Sequence, residues 1–127
     1  MLPNRKRFAA AAIAAAVASS APVFAQNTLN VICPVQAEWC NAAAVAFEKE
    51  TGIKVGMTLK GSGESFAQIA AEKANPMLDV WFGGTGDPHL QAAEQGLLEE
   101  YKSPLLAQLQ PWAQRQAEQS KYRTVGM

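Results

Sequence analysis

Three short apolar or β-branched runs, Thr28–Cys33 (TLNVIC), 53–59 (IKVGMTL) and 78–82 (LDVWF), each give way to a helical pattern. That alternation narrows the fold more than any other feature. Each return to a parallel neighbour needs a crossover, and the helices supply it, so the order predicts an α/β chain: a parallel sheet with flanking helices. The first helix is expected over 38–50, with Trp39, Ala43, Ala46 and Phe47 on one face. Thr51-Gly52 ends it, with glycine suited to a left-handed C-terminal residue. Phe66, Ile69, Ala70 and Lys73 mark a second helix, broken by Asn75-Pro76, and a third runs over 88–95, closed by Gly96. Ser103-Pro104 and Gln110-Pro111 read as further helix starts, with Leu106, Leu109, Trp112 and Ala113 inward. The last residues, 122–127 (YRTVGM), read as the beginning of another strand, so a longer protein is expected.

The first 25 residues are set apart from this pattern. Arg5, Lys6 and Arg7 precede an apolar stretch at 8–17 that is short for a bilayer, and Val23-Phe24-Ala25 offers the small residues of a cleavage site. The expectation is an exported chain cut after Ala25, with an uncleaved anchor as the alternative. Loss of those three cations takes the formal charge from +0 to about −3. No basic stripe is left, so no nucleic-acid partner and no anionic membrane surface is expected.

Cys33 and Cys40 are the two cysteines, seven positions apart. In an oxidising compartment they suit a disulfide joining the first strand to the first turn of the helix after it, worth roughly 2–3 kcal/mol. Two buried thiols are the other reading. With His89 as the one histidine, no zinc-like set of four exists, and no metal site or cofactor is expected.

Two glycine-rich loops carry the candidate site. Residues 79–89 (DVWFGGTGDPH) run from a strand through Gly83, Gly84 and Gly86 into a helix whose start reads as Asp87 at the N-cap and Pro88 at the first position. Residues 60–65 (KGSGES) do the same one crossover earlier. In a parallel sheet both helix N-termini open on one edge, where free N–H groups favour an anion such as phosphate, phosphonate or carboxylate. The candidate ligand residues are Ser62, Gly63, Glu64, Ser65, Gly84, Thr85, Gly86 and Asp87. Glu64 and Asp87 carry the wrong sign for an anion. A simpler account makes Ser62 and Asp87 N-caps, Glu64 a partner of the helix dipole and 79–89 an ordinary βα turn. His89 reads as solvent-facing or capping rather than as a ligand or base, and Glu99-Glu100 as a solvated pair. Trp39 and Trp81 read as core or as the border of a cleft. No catalytic residues are assigned: there is no Ser/His/Asp order, no paired carboxylates at helical spacing and no GxSxG.

The stretches FEKETGIKV (47–55) and GSGESFAQIAAEKANPMLDVWFGG (61–84) carry a further signal. With an export segment ahead of them, they resemble the periplasmic substrate-binding proteins of bacterial ABC importers. The nearest look is to the branch that binds ferric ion, thiamine, aminoethylphosphonate and sugar phosphates. The likeness covers about 29–127. It implies two α/β lobes joined by hinge strands, a solute held in the cleft, closure that signals an inner-membrane permease, and no enzymatic step. The chain then corresponds to 26–127 as the first part of lobe one, in the periplasm, and is expected to be monomeric. Ferric-binding members place a histidine or acid after the first strand, an acid near the third and a tyrosine pair in lobe two. Here Pro34-Val35-Gln36 follows the first strand, Glu38 is the nearest acid, and Gly83-Gly84-Thr85 stands where an oxygen ligand is wanted. An anionic organic solute is therefore expected over Fe(III), with ferric iron or thiamine as alternatives. An exported α/β hydrolase and a non-functional fragment are the readings from other classes.

Overall fold

The computed structural model describes residues 28–126. The expected export segment, its cut after Ala25 and Met127 lie outside the described residues.

Strand β1 (Thr28–Cys33) is central in a three-stranded parallel sheet, between β2 (Lys54–Leu59) and β3 (Val80–Trp81). Val31, Ile32 and Cys33 are buried in succession, the mark of a strand covered on both faces rather than one. Burying Ile32 contributes about 2–3 kcal/mol. β2 pairs along its full length, from Thr28↔Lys54 to Cys33↔Leu59. β3 pairs only through Val31↔Val80 and Ile32↔Trp81. Backbone bonds at Asp79 and Phe82 extend that contact to Asn30 and Ile32, and the Asp79 carboxylate also accepts the Asn30 N–H at 2.8 Å.

Helix α1 (Ala37–Thr51) crosses from β1 to β2, and Gly52 closes it at φ +73°. The Cys33–Cys40 disulfide is present, with Cα atoms 6.1 Å apart, and ties the end of β1 to the first turn of α1. That bridge sets the inward face of α1. Cys40 is buried with Ala43, Ala44 and Phe47 half-buried at i+3, i+4 and i+7, while Trp39 is 66% exposed and Ala46 is exposed. Trp39 is thus not core.

Helix α2 (Ser62–Ala71) packs on α3 (Gly86–Glu94), which stops where Gly96 turns at φ +66°. Lys73 lies beyond α2 and donates to the Gln95 carbonyl at 3.3 Å. A 3-10 turn (Leu106–Gln108) leads to α4 (Pro111–Gln119), which begins with proline as expected. Ala113 and Ala117 are its buried residues; Trp112 and Leu109 are exposed, contrary to their expected inward position. The expected strand over 122–127 does not form in its described part. Lys121 and Tyr122 are left-handed, at φ 56° and 59°, and the Tyr122 N–H turns back to the Ala117 carbonyl. Ser120 Oγ then binds both backbone groups of Thr124, so residues 120–124 form a turn rather than a strand.

Candidate functional site

The parallel register brings Cys33, Leu59 and Trp81 toward one sheet edge. The three connections leaving it, residues 34–36, 60–61 and 82–85, therefore meet there. Gly84 marks how tightly. At φ +100° it holds a conformation that L side chains rarely adopt, and a Cβ on it would sit 2.5 Å from Pro34 Cγ and 2.7 Å from Ser62 Oγ. Gly83, at φ +85°, would place its Cβ 3.0 Å from Val35 Cγ1. Glycine at these two positions is what lets the third loop lie against the first.

Helices α2 and α3 start side by side, as the sequence predicts, but their caps differ from expectation. Gly61, not Ser62, occupies the N-cap of α2, and Glu64 Oε2 accepts the Gly61 N–H at 3.0 Å. Ser62 is the first residue of the helix, and its Oγ accepts the Thr85 N–H across the gap at 3.1 Å. Thr85, not Asp87, occupies the N-cap of α3; Asp87 and Pro88 fall in its first turn. The helix begins two residues earlier than expected because Thr85, a favoured N-cap type, holds the extended backbone of a cap at φ −89° and ψ 150°.

The candidate residues separate into three groups. Ser62, Gly84, Thr85 and Gly86 form one continuous junction between the two helix starts. Gly63, Glu64 and Asp87 are exposed around it, with Glu64 committed to its own helix end. Ser65 faces inward instead: it is fully buried, and its Oγ has no hydrogen-bond partner among the described residues. The junction can offer backbone N–H groups and hydroxyls to a solute, with two flanking carboxylates that repel an anion placed on their side.

His89 departs furthest from expectation. It is 3% exposed, so it is not solvent-facing; its ring stacks on Trp81 at 3.7 Å between centroids. Its Nε2 lies 2.9 Å from the Gly83 carbonyl, and a carbonyl only accepts, so Nε2 carries the proton. Burial pushes its pKa below the ordinary histidine range, partly opposed by the bond to Gly83. Periodicity could not find this pair, because Trp81 and His89 belong to a strand and a helix of different repeat.

A second titrating clasp holds the other side. Glu48 at the end of α1 accepts the Val55 N–H at 2.8 Å and the Lys54 ammonium at 3.2 Å. The Val55 bond first, then Lys54, keeps its carboxyl below the usual range. Among the described residues no group of three or more His, Cys, Asp or Glu stands close enough to hold a metal ion.

Residues 29–123 match the family described as bacterial extracellular solute-binding protein. An uncharacterized protein of Haemophilus influenzae is 45% identical over 93 residues, which are 73% of this chain and 27% of that protein. Among solved structures, the periplasmic binding protein P5PA superposes with a TM-score of 0.69 at 40% identity, over 74% of this chain and 30% of its own. The periplasmic binding protein AfuA from Actinobacillus pleuropneumoniae, with exogenous fructose-6-phosphate bound, gives 0.67 at 46% identity, over 68% and 27%. Iron-bound HitA from Pseudomonas aeruginosa gives 0.64 at 31%, over 68% and 28%. The chain thus spans under a third of the length of these relatives.

Proposed function

The chain belongs to the bacterial extracellular solute-binding protein family, and on that premise we propose that it forms part of the periplasmic solute receptor of an ABC importer. The receptor is monomeric and delivers its cargo to an inner-membrane permease. The solute is organic and anionic, with a phosphoryl group seated where α2 and α3 begin. Binding and release are its whole cycle, with no bond made or broken in the cargo.

The observation that carries the solute class is the Ser62–Thr85 contact. It draws two helix N-termini together, so that the helix-start N–H groups, the Ser62 and Thr85 hydroxyls and the Gly84–Gly86 backbone share one junction. Partial positive charge at both helix ends favours an anion there, and neighbouring hydroxyls suit phosphoryl oxygens. Glu64 and Asp87 at the rim repel anions but accept hydrogen bonds from sugar hydroxyls, which fits a phosphorylated polyol better than free phosphate. The likeness to a receptor with fructose-6-phosphate bound, at 46% identity, supports the same class.

Iron is the second reading, favoured by the likeness to iron-bound HitA. Fe(III) wants several anionic oxygen ligands; this junction offers two rim carboxylates, Glu64 and Asp87, and Glu64 is already bound to the Gly61 N–H.

The test is calorimetric titration of the complete encoded protein with fructose 6-phosphate, fructose, inorganic phosphate, thiamine and Fe(III). The expected result is binding of the sugar phosphate, with fructose at least about a hundredfold weaker because a charge-assisted anion site is lost. Binding of Fe(III) or thiamine with no response to the sugar phosphate overturns the assignment.

A further inference from the structure

We propose that His89 is the positioning residue of this solute site: it sets the direction of the backbone donors in the Gly83–Gly84–Thr85 loop without touching the solute itself. The inference rests on the solute-site reading above.

The peptide between Gly83 and Gly84 is where the loop's conformation is decided. Two glycines in succession, at φ +85° and +100°, have no side chain to choose a conformation, so something outside the loop must choose it. His89 does so by donating Nε2–H to the Gly83 carbonyl at 2.9 Å. In a trans peptide the carbonyl and the next N–H point in opposite directions. Pinning the Gly83 oxygen inward on His89 therefore turns the Gly84 N–H away from the core. The next N–H, of Thr85, is then in register for Ser62 Oγ at 3.1 Å.

The histidine can act as a fixed point because it is itself held. Its ring lies against Trp81 of β3, is almost wholly buried, and sits in the first turn of α3. One side chain thus joins the strand before the loop, the loop and the helix after it. Any buried imidazole N–H needs an acceptor; what singles this one out is that its acceptor is the carbonyl between two glycines of positive φ, on the peptide that leads to the Thr85–Ser62 bond. The neutral ring is the form that fits, with Nε2–H as donor and no second acceptor required.

The experiment is amide hydrogen exchange on the complete encoded protein, read at Thr85 and normalised to Ile32 in the core. His89→Leu removes the donor, and His89→Gln keeps an N–H near the Nε2 position. The Leu variant is expected to speed Thr85 exchange roughly tenfold, as for loss of one hydrogen bond, with Ile32 unmoved. His89→Gln restores most of the protection. In parallel, fructose 6-phosphate affinity is expected to fall roughly tenfold in the Leu variant and to recover with Gln. Unchanged Thr85 protection in a folded His89→Leu variant overturns the proposal, whatever the binding result. Altered protection in a protein whose wild type binds no sugar phosphate leaves the loop-positioning role standing and removes the solute class.

If His89→Leu does not fold, His89→Phe replaces it: the ring can still lie on Trp81 but offers no donor to Gly83, so Thr85 exchange relative to Ile32 is expected to speed roughly tenfold, and unchanged protection overturns the proposal.

Discussion

The two flanks of the sheet are held by different means. On the β2 side, six successive residue pairs, a crossover helix and a disulfide join β1, α1 and β2. On the β3 side, the ladder is two residue pairs long with a backbone bond at either end, and single side-chain contacts support it: Asp79 on Asn30, Trp81 on His89, His89 on Gly83, Ser62 on Thr85. The first flank is redundant, because a long ladder distributes its strength over many backbone bonds. The second depends on single contacts between groups of exact shape and protonation state, and it also bears the candidate site. That division suits a candidate binding edge, which must stay polar and adjustable while its scaffold need not.

Gly84→Ala tests the weaker flank most severely. The new methyl meets Pro34 and Ser62 at a left-handed φ, and the expected loss is about 2–4 kcal/mol, read by urea unfolding. Gly63→Ala is its control. Nothing lies within 4 Å of the added carbon, and a helical glycine is replaced, so stability is expected to rise by about 0.5–1 kcal/mol. Equal losses at both glycines break the comparison.

The paired change Cys33→Ser with Cys40→Ser probes the stronger flank. Loss of the bridge is expected to cost roughly 2–3 kcal/mol, from the short loop it closes. Thr85 amide protection relative to Ile32 is expected to stay where it was. A selective loss at Thr85 means that the two flanks are coupled through Pro34, which contacts the third loop.

The gentlest probe is acid. His89 has its pKa lowered by burial, so the unfolded chain binds the proton more readily. Its contribution is complete above the ordinary histidine range and is lost as pH falls through that range toward the lowered value. Glu48, lowered by Val55 and Lys54, contributes above the ordinary carboxylate range and loses that contribution only below it. Two separate windows are expected in stability against pH, the upper one abolished by His89→Gln and the lower by Glu48→Gln. A single window, or an upper one that persists without the histidine, contradicts the assignment.

Sequence reading reached the parallel α/β order, the disulfide, the left-handed Gly52 and the convergence of two helix starts on one edge. Each follows from local chemistry: strand and helix periods differ, glycine tolerates positive φ, and a short cysteine spacing spans one strand end and one helix turn. It misassigned Trp39, Leu109 and Trp112 to the interior because an apolar residue beside an apolar stripe looks the same whether or not a neighbour covers it. It placed the N-caps on Ser62 and Asp87, where Gly61 and Thr85 serve, because serine and aspartate are the stronger formers in isolation.

What the amino-acid order settled by itself was the set of elements and the one edge they share. Periodicity and turn chemistry act over a few residues, and the chirality of parallel crossovers does the rest. Only the tertiary structure decided the partners across that edge. Ser62 meets Thr85 across 23 positions, Asp79 meets Asn30 across 49, and His89 turns inward to Trp81 and Gly83. A lone histidine in a first helical turn has no local reason to be buried. Its place is set by a strand and a glycine loop that come to rest on either side of it, and spacing along the chain carries no record of that encounter.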